Sequence, residues 1–370
     1  MKPLLVFISI FFLSCNTYAQ DENDYRETDR VALNIPASQS NSTTDIAAFI
    51  NSHFDTDSKK VRAAYIWVIS HIKYSTDSVH RIILDEDRDQ LVTFALRRRK
   101  GVCENFAAIF DDICRKAGLW SFPVEGYTRQ NNSVDRISHA WNIVFSDNKW
   151  SLYDPTWDAS PGYEPVLTRY FQVPPSLFIQ SHMPFDPMFQ LLNYPVTFKE
   201  FNNDNIKSQN AVAYFNYADT LGKFENAEPL QKYTSAYNRI QNNGVPNSMV
   251  QTKLKQLQFE IEVIYQVRDS VLYNDAIADY NSATNEFNNF IVYRNNQFKP
   301  DKTDAEVQST FDDIEKKIAS ARRKLKEVNQ SKATLTLDTG DIEYALNTLS
   351  NHVKEQEAFT KNYKATVEEK

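Results

Sequence analysis

Gly101-Val102-Cys103-Glu104-Asn105-Phe106-Ala107-Ala108-Ile109-Phe110-Asp111-Asp112-Ile113-Cys114-Arg115-Lys116-Ala117-Gly118 reads as one helix, opened near Gly101 and closed by Gly118 as a C′ glycine. Phe106, Ile109, Phe110, Ile113, Cys114 and Ala117 recur at helical spacing, so one face is buried. Cys103 falls in the first turn. Unpaired backbone N–H groups and the helix dipole favour a thiolate there, and a cysteine so placed can act as a nucleophile near neutral pH. Cys114, three turns along the buried stripe, reads as a small core hydrophobe. On one helix the two cysteines lie about 16 Å apart at 1.5 Å rise per residue. A disulfide needs Cα atoms within about 7 Å, so both thiols are expected to be free.

Three strands are expected downstream, at 122–129, 139–145 and 150–154. If the last two form a hairpin turning at Asp147-Asn148, facing residues have indices that sum to 295, and Asp154 faces Trp141. His139 shares a face with Trp141, two residues away. Asp154 is then a diagonal neighbour of His139 on one face, within reach of a carboxylate–imidazole hydrogen bond. Such a pair fixes the tautomer of the ring and stabilises imidazolium. A helix-start cysteine with this pair is the residue set of nucleophilic catalysis.

Further out, Val61, Ala64, Tyr65, Val68, Ile69 and Ile72 mark a helix at 58–74, with Trp67 off its apolar stripe. Residues 155–195 hold eight of the 14 prolines and read as an extended, irregular segment in which His182 is structural. From about 205, heptads appear. Val250, Leu254, Leu257, Ile261 and Ile264 form one seam, and Phe311, Ile314, Ile318, Ala321, Leu325 and Val328 another. Residues 298–301 read as the turn between two long antiparallel helices.

At the other end, Lys2, the apolar run Leu4 to Leu13 and Thr17-Tyr18-Ala19 read as an export signal cut after Ala19. The run is about ten residues, short of a bilayer span. Phe12-Leu13-Ser14-Cys15 resembles a lipobox with its Leu one place off, so membrane attachment is expected only through lipidation of Cys15. The expected organisation is a signal peptide at 1–19, a flexible leader at 20–54, a first domain at 55–204 and a helical domain at 205–370. The chain is expected to be periplasmic or extracellular.

Composition excludes several classes. Only 7 of 370 residues are glycine, and neither a dinucleotide-binding nor a phosphate-binding glycine loop occurs. A net charge of −7 argues against a nucleic-acid partner. The chain has no H-E-x-x-H, no C-x-x-C and no calcium loop, so no metal or cofactor is expected.

The motifs together resemble those of the transglutaminase-like superfamily. Gly101-Val102-Cys103-Glu104-Asn105-Phe106-Ala107 is similar to its cysteine motif. Ser138-His139-Ala140-Trp141-Asn142 is similar to its histidine motif, and Trp150-Ser151-Leu152-Tyr153-Asp154-Pro155-Thr156-Trp157 to its aspartate motif. Order and spacing also agree. Tyr170-Phe171, Ser181-His182-Met183-Pro184 and Gln190-Leu191-Leu192 resemble the kyphoscoliosis-peptidase and cytokinesis-protein branch. The resemblance covers about 55–200. It implies an α+β, papain-like core, with the nucleophile helix packed on an antiparallel sheet; the heptads add an all-α bundle or hairpin after it. It also implies that Cys103 attacks an amide carbonyl of a protein or peptide, that His139 serves as base and then acid, and that Asp154 orients His139. The thioester passes to an amine or to water. The Cys103 N–H is the expected oxyanion donor. Trp67 and Trp141 are assigned to the oxyanion site or cleft, with core packing as the ordinary alternative for both. A second reading is an idle module that binds a protein partner through the helical domain.

Overall fold

The computed structural model describes residues 25–75, 88–160, 166–206 and 213–368. The expected export signal at 1–19 and Cys15 lie outside the described residues. The chain divides into two compact units, Met1–Asn226 with Arg239–Gln251, and Ala227–Asn238 with Thr252–Lys370.

The first unit is α+β. It begins with α1 (Arg26–Leu33), α2 (Thr43–His53) and α3 (Asp57–His71). A two-residue strand β1 (Lys73–Tyr74), α4 (Arg88–Arg98) and β2 (Lys100–Gly101) lead into α5 (Cys103–Lys116). Next come the strands β3 (Trp120–Gln130), β4 (Ser133–Ser146) and β5 (Lys149–Tyr153). Then follow α6 (Pro175–Phe178), β6 (His182–Pro184), α7 (Phe198–Asn202) and α8 (Tyr217–Asn226). The four larger-sheet strands pair antiparallel in the order β5-β4-β3-β6. β1 and β2 pair in parallel and tie the end of α3 to the start of α5.

The expectation of a flexible leader at 20–54 is corrected over the described residues 25–54. A capping box between Ser42 and Asp45 starts α2. Ala32, Ile35, Ile46 and Ile50 are buried in the same core as α3 and α5. The polar residues that made this stretch read as a leader serve as caps and outer faces. Arg62 of α3 is itself buried and clasps Asp29 of α1 through two hydrogen bonds of 2.7 Å. Helix α3 departs from its expected one-sided stripe: every residue from Val61 to Ile69 is buried, because α1, α2, α5 and β4 pack around it.

Helix α5 ends as its glycine suggests. Gly118 has φ +90°, its N–H donates to the Arg115 carbonyl, and Leu119 N–H reaches the Cys114 carbonyl at 3.0 Å. This is a Schellman closure. On β4 the side chains alternate. Asn142 points toward α5 and donates to the Ala107 carbonyl at 2.9 Å, and Val144 joins the helical core. Trp141 and Ile143 join a second core with Phe122, Val124, Leu152, Phe178 and Met188. Leu221 and Phe224 of α8 pack into that second core, which carries the first unit past the expected boundary at 204.

The remaining helices are α9 (Pro229–Asn243), α10 (Ser248–Asn295), α11 (Asp304–Asn329) and α12 (Gly340–Glu368). At 48 residues, α10 is about 72 Å long. Ion pairs Lys317–Glu286 and Lys324–Asp279 have the same index sum, so α10 and α11 run antiparallel. All six residues of the α11 seam are buried, together with Ala276, Ala283 and Phe290 of α10 and Leu346, Leu349 and Val353 of α12. The seam at the start of α10 is weaker. Val250, Leu254 and Leu257 are buried, but Ile261 and Ile264 are only half-buried. No helix among the described residues is long and apolar enough to cross a membrane.

Candidate active site

Cys103 is the first residue of α5, after an N-cap at Val102. Asn105 Oδ1 accepts from the Val102 N–H at 3.0 Å, which fixes the chain's entry into the helix. Cys103 is 7% exposed and packs on Ala107 and on Ala140 of β4. The nearby Ala140 backbone N–H favours the thiolate, against the effect of burial. The thiol therefore sits one residue along from His139.

The hairpin has the expected register. Asn142 faces Tyr153, Ile143 faces Leu152 and Phe145 faces Trp150, each pair summing to 295. Asp154 continues β5 by one residue, and His139 Nε2 lies 2.7 Å from its Oδ2. The other carboxylate oxygen accepts backbone N–H groups of Thr156 at 2.8 Å and Trp157 at 3.2 Å. Burial opposes the charge on Asp154. The charge and hydrogen bond of His139 and the hydrogen bond of His182 outweigh it and hold the carboxyl well below the usual range. An ionised carboxylate only accepts, so the facing nitrogens carry the protons. In the neutral ring, that leaves His139 Nδ1 as the lone-pair nitrogen.

Two features differ from expectation. The helix-start argument favours a thiolate at Cys103, but burial, then the neighbouring Glu104 charge and hydrogen bond, push the thiol up. The sulfur donates to Glu104 Oε2 at 3.1 Å. Among the described residues it makes no hydrogen bond to His139, because an adjacent carboxylate is the stronger acceptor. Secondly, His182 is no bystander. Its Nε2 lies 3.0 Å from the same Asp154 Oδ2 that His139 meets. The proline-rich segment hides this residue in the sequence. The structure makes 182–184 an edge strand beside Gly126 to Thr128. A Ser-His-Met-Pro run after proline-rich chain, near a buried Asp, was the signal available.

Trp67 and Trp141 are both wholly buried. Trp67 stacks on His71 at 5.0 Å, with the Arg99 guanidinium 4.8 Å from its ring. Trp141 lies edge-on to His182 at 5.2 Å. Trp157 is half-buried and covers both imidazoles, 5.7 Å from His139 and 4.3 Å from His182. Behind Asp154, the Tyr65 hydroxyl is 2.8 Å from its carbonyl and 2.7 Å from Asp158 Oδ2. Cys114 is free and wholly buried on α5.

His139, Asp154 and His182 bring three metal-ligand atoms within 4.8 Å of one another. Those atoms already satisfy each other through two N–H···O bonds. A cation would have to displace both protons from a fully packed site, so the donor set fits a hydrogen-bonded relay rather than a metal centre.

Residues 44–155 match the transglutaminase-like superfamily, and the chain carries a transglutaminase-like domain. Human kyphoscoliosis peptidase is 32% identical over 165 residues, covering 40% of this chain and 24% of that protein. Hillarin of Drosophila melanogaster is 23% identical over 209 residues, covering 50% of this chain and 25% of that protein. Cytokinesis protein 3 of Schizosaccharomyces pombe is 25% identical over 145 residues, covering 36% of this chain and 16% of that protein. The chain thus spans about a quarter or less of the length of these curated relatives.

Proposed function

We propose that the first unit is a cysteine enzyme that opens amide bonds of proteins or peptides through Cys103, His139 and Asp154. The observation that carries the reading is the packing of Cys103 on Ala140, one residue from an imidazole that Asp154 holds at 2.7 Å. In this scheme the thiol leaves Glu104 and transfers its proton to His139 Nδ1 as the sulfur attacks the carbonyl carbon. The Cys103 N–H at the helix start faces the developing oxyanion. His139 returns the proton to the leaving nitrogen, and the thioester passes to an amine or to water. Asp154 keeps the ring in the required tautomer and stabilises imidazolium. Because the resting thiol is protonated, transfer is coupled to attack rather than completed beforehand.

The test is mass spectrometry of a peptide and cell-wall library incubated with the wild type and with Cys103→Ala. Cross-linked products short of ammonia, deamidated side chains or new termini, present only with the wild type, each support the reading and name the acceptor. Identical spectra overturn it. We also propose export through residues 1–19, on their charge and apolar run alone. N-terminal sequencing of chain recovered outside the cytoplasm should begin at Gln20.

A second reading, an idle module that recruits partners through its helical unit, is favoured by one observation: the Cys103 thiol donates its hydrogen bond to Glu104, not to His139. It predicts that Cys103→Ala leaves partner recovery unchanged, while removal of the helices abolishes it.

A further inference from the structure

The Asp154 carboxylate is fully subscribed. Oδ1 receives two backbone N–H groups, and Oδ2 receives two imidazoles, from His139 at 2.7 Å and His182 at 3.0 Å. Only the first imidazole is needed by the chemistry proposed above. The second is wholly buried and built in with care. Phe178 stacks on it at 4.0 Å, Trp157 lies 4.3 Å away, and Trp141 and Tyr170 close the remaining sides. Its Nδ1 lies 2.8 Å from the Ser181 hydroxyl. With the hydroxyl donating to Nδ1, the proton of the neutral ring sits on Nε2, aimed at Asp154. Burial keeps His182 from charging. A neutral donor on the shared oxygen spreads the carboxylate's charge without adding a second cation beside His139.

We infer that His182 is a positioning residue that acts through Asp154: its Nε2–H fixes the rotation of the carboxylate and sets how much of its negative charge His139 receives. The inference rests on the reading of Cys103, His139 and Asp154 as the working set. Other titratable groups bear on the same cluster. Asp135 acts on His182, Glu104 and Tyr74 are neighbours of Cys103, and Asp158, Tyr65 and Tyr170 are neighbours of Asp154. The variants below leave all of these unchanged.

The experiment has two parts on the full chain. First, nitrogen-15 NMR of the wild type reads the histidine tautomers at neutral pH, with no catalysis required. His182 is expected as the Nε2–H form, and an Nδ1–H form overturns the inference. Second, the pH profile of Cys103 alkylation is compared in wild type, His182→Gln and His182→Phe, with near-UV circular dichroism to establish packing. Glutamine retains an N–H donor near the position of Nε2, whereas phenylalanine only fills the space. His182→Phe throws the charge of Asp154 onto His139 alone and favours imidazolium, so the acid limb of the profile, where the base is lost to protonation, should move to higher pH by about half a unit. His182→Gln should restore the wild-type limb. If His182→Phe is packed and its limb coincides with the wild type, His182 merely fills space and the inference fails. The underlying enzymatic reading is judged separately, by whether His139→Ala slows the same alkylation. The tautomer decides the Asp154 arrangement whichever way that test falls.

Discussion

At the scale of residues, Glu104 and Asp158 carry the sharpest consequences. Glu104 accepts a hydrogen bond from the Cys103 thiol, and its charge contributes to the thiol's raised pKa. Glu104→Gln removes that charge, and Cys103 should then alkylate about tenfold faster at neutral pH. Site-resolved peptide mass spectrometry measures this, and an unchanged rate would show that burial alone governs the thiol. Asp158 behaves oppositely to Asp154. Burial pushes its carboxyl up to about 6, despite hydrogen bonds from Tyr65 and from the Tyr170 N–H. Folding therefore takes up a proton at Asp158. Its contribution to stability is present in full below the ordinary carboxylate pKa and is lost as pH rises through about 6. Asp154, held low, contributes above the ordinary value and loses that contribution as pH falls toward its folded value. The stability of the wild type relative to Asp158→Asn should thus decline between pH 4 and 7, by on the order of 2 kcal/mol. Urea melts at each pH measure it. The place of Cys103 at a helix start and of His139 beside Asp154 was legible at this scale, because residue type and spacing select them. Glu104's hold on the thiol was not, since the direction of one side chain leaves no periodic mark.

At the scale of elements, the β4–β5 hairpin was legible down to its register. An alternating strand pair closed by Asp147-Asn148 has few ways to keep one face buried, and both turn residues take the left-handed conformation. Strand β6 was not legible. Three residues amid prolines carry no alternation, and the strand exists because Gly126 lets it approach. A Cβ at Gly126 would lie 2.2 Å from the Met183 carbonyl oxygen and 2.5 Å from the Trp141 ring. Gly126→Ala should therefore cost about 1–3 kcal/mol in a denaturant melt and loosen His182 from Asp154. A variant as stable as the wild type would contradict this account of the strand's seat. Helices α1 and α2 escaped the sequence because their apolar runs, Val31-Ala32-Leu33 and Ile46-Ala47-Ala48-Phe49-Ile50, are short and set among polar residues. Burial against α3 and α5 decides them, not local propensity.

At the scale of the whole molecule, the seven glycines and the heptads mark two kinds of chain. Tight turns cluster around the sheet, while the second unit is held by a seam that reads directly from sequence. Ile318 is wholly buried in that seam, and Ile318→Ala should cost about 2–5 kcal/mol of the helical unit's stability, seen by far-UV circular dichroism on melting. The boundary between the units was less legible. Leu221 and Phe224 join the core beneath the sheet although their sequence surroundings already look helical. The central claim is that Cys103 is a nucleophile served by the imidazole that Asp154 holds. It is tested most directly by the rate of carbamidomethylation of Cys103 at neutral pH in wild type and His139→Ala, resolved from Cys114 by peptide mass spectrometry. The account predicts a fall of about tenfold or more in the variant, with Cys114 unmodified in both. Equal rates at Cys103 in the two proteins would contradict it.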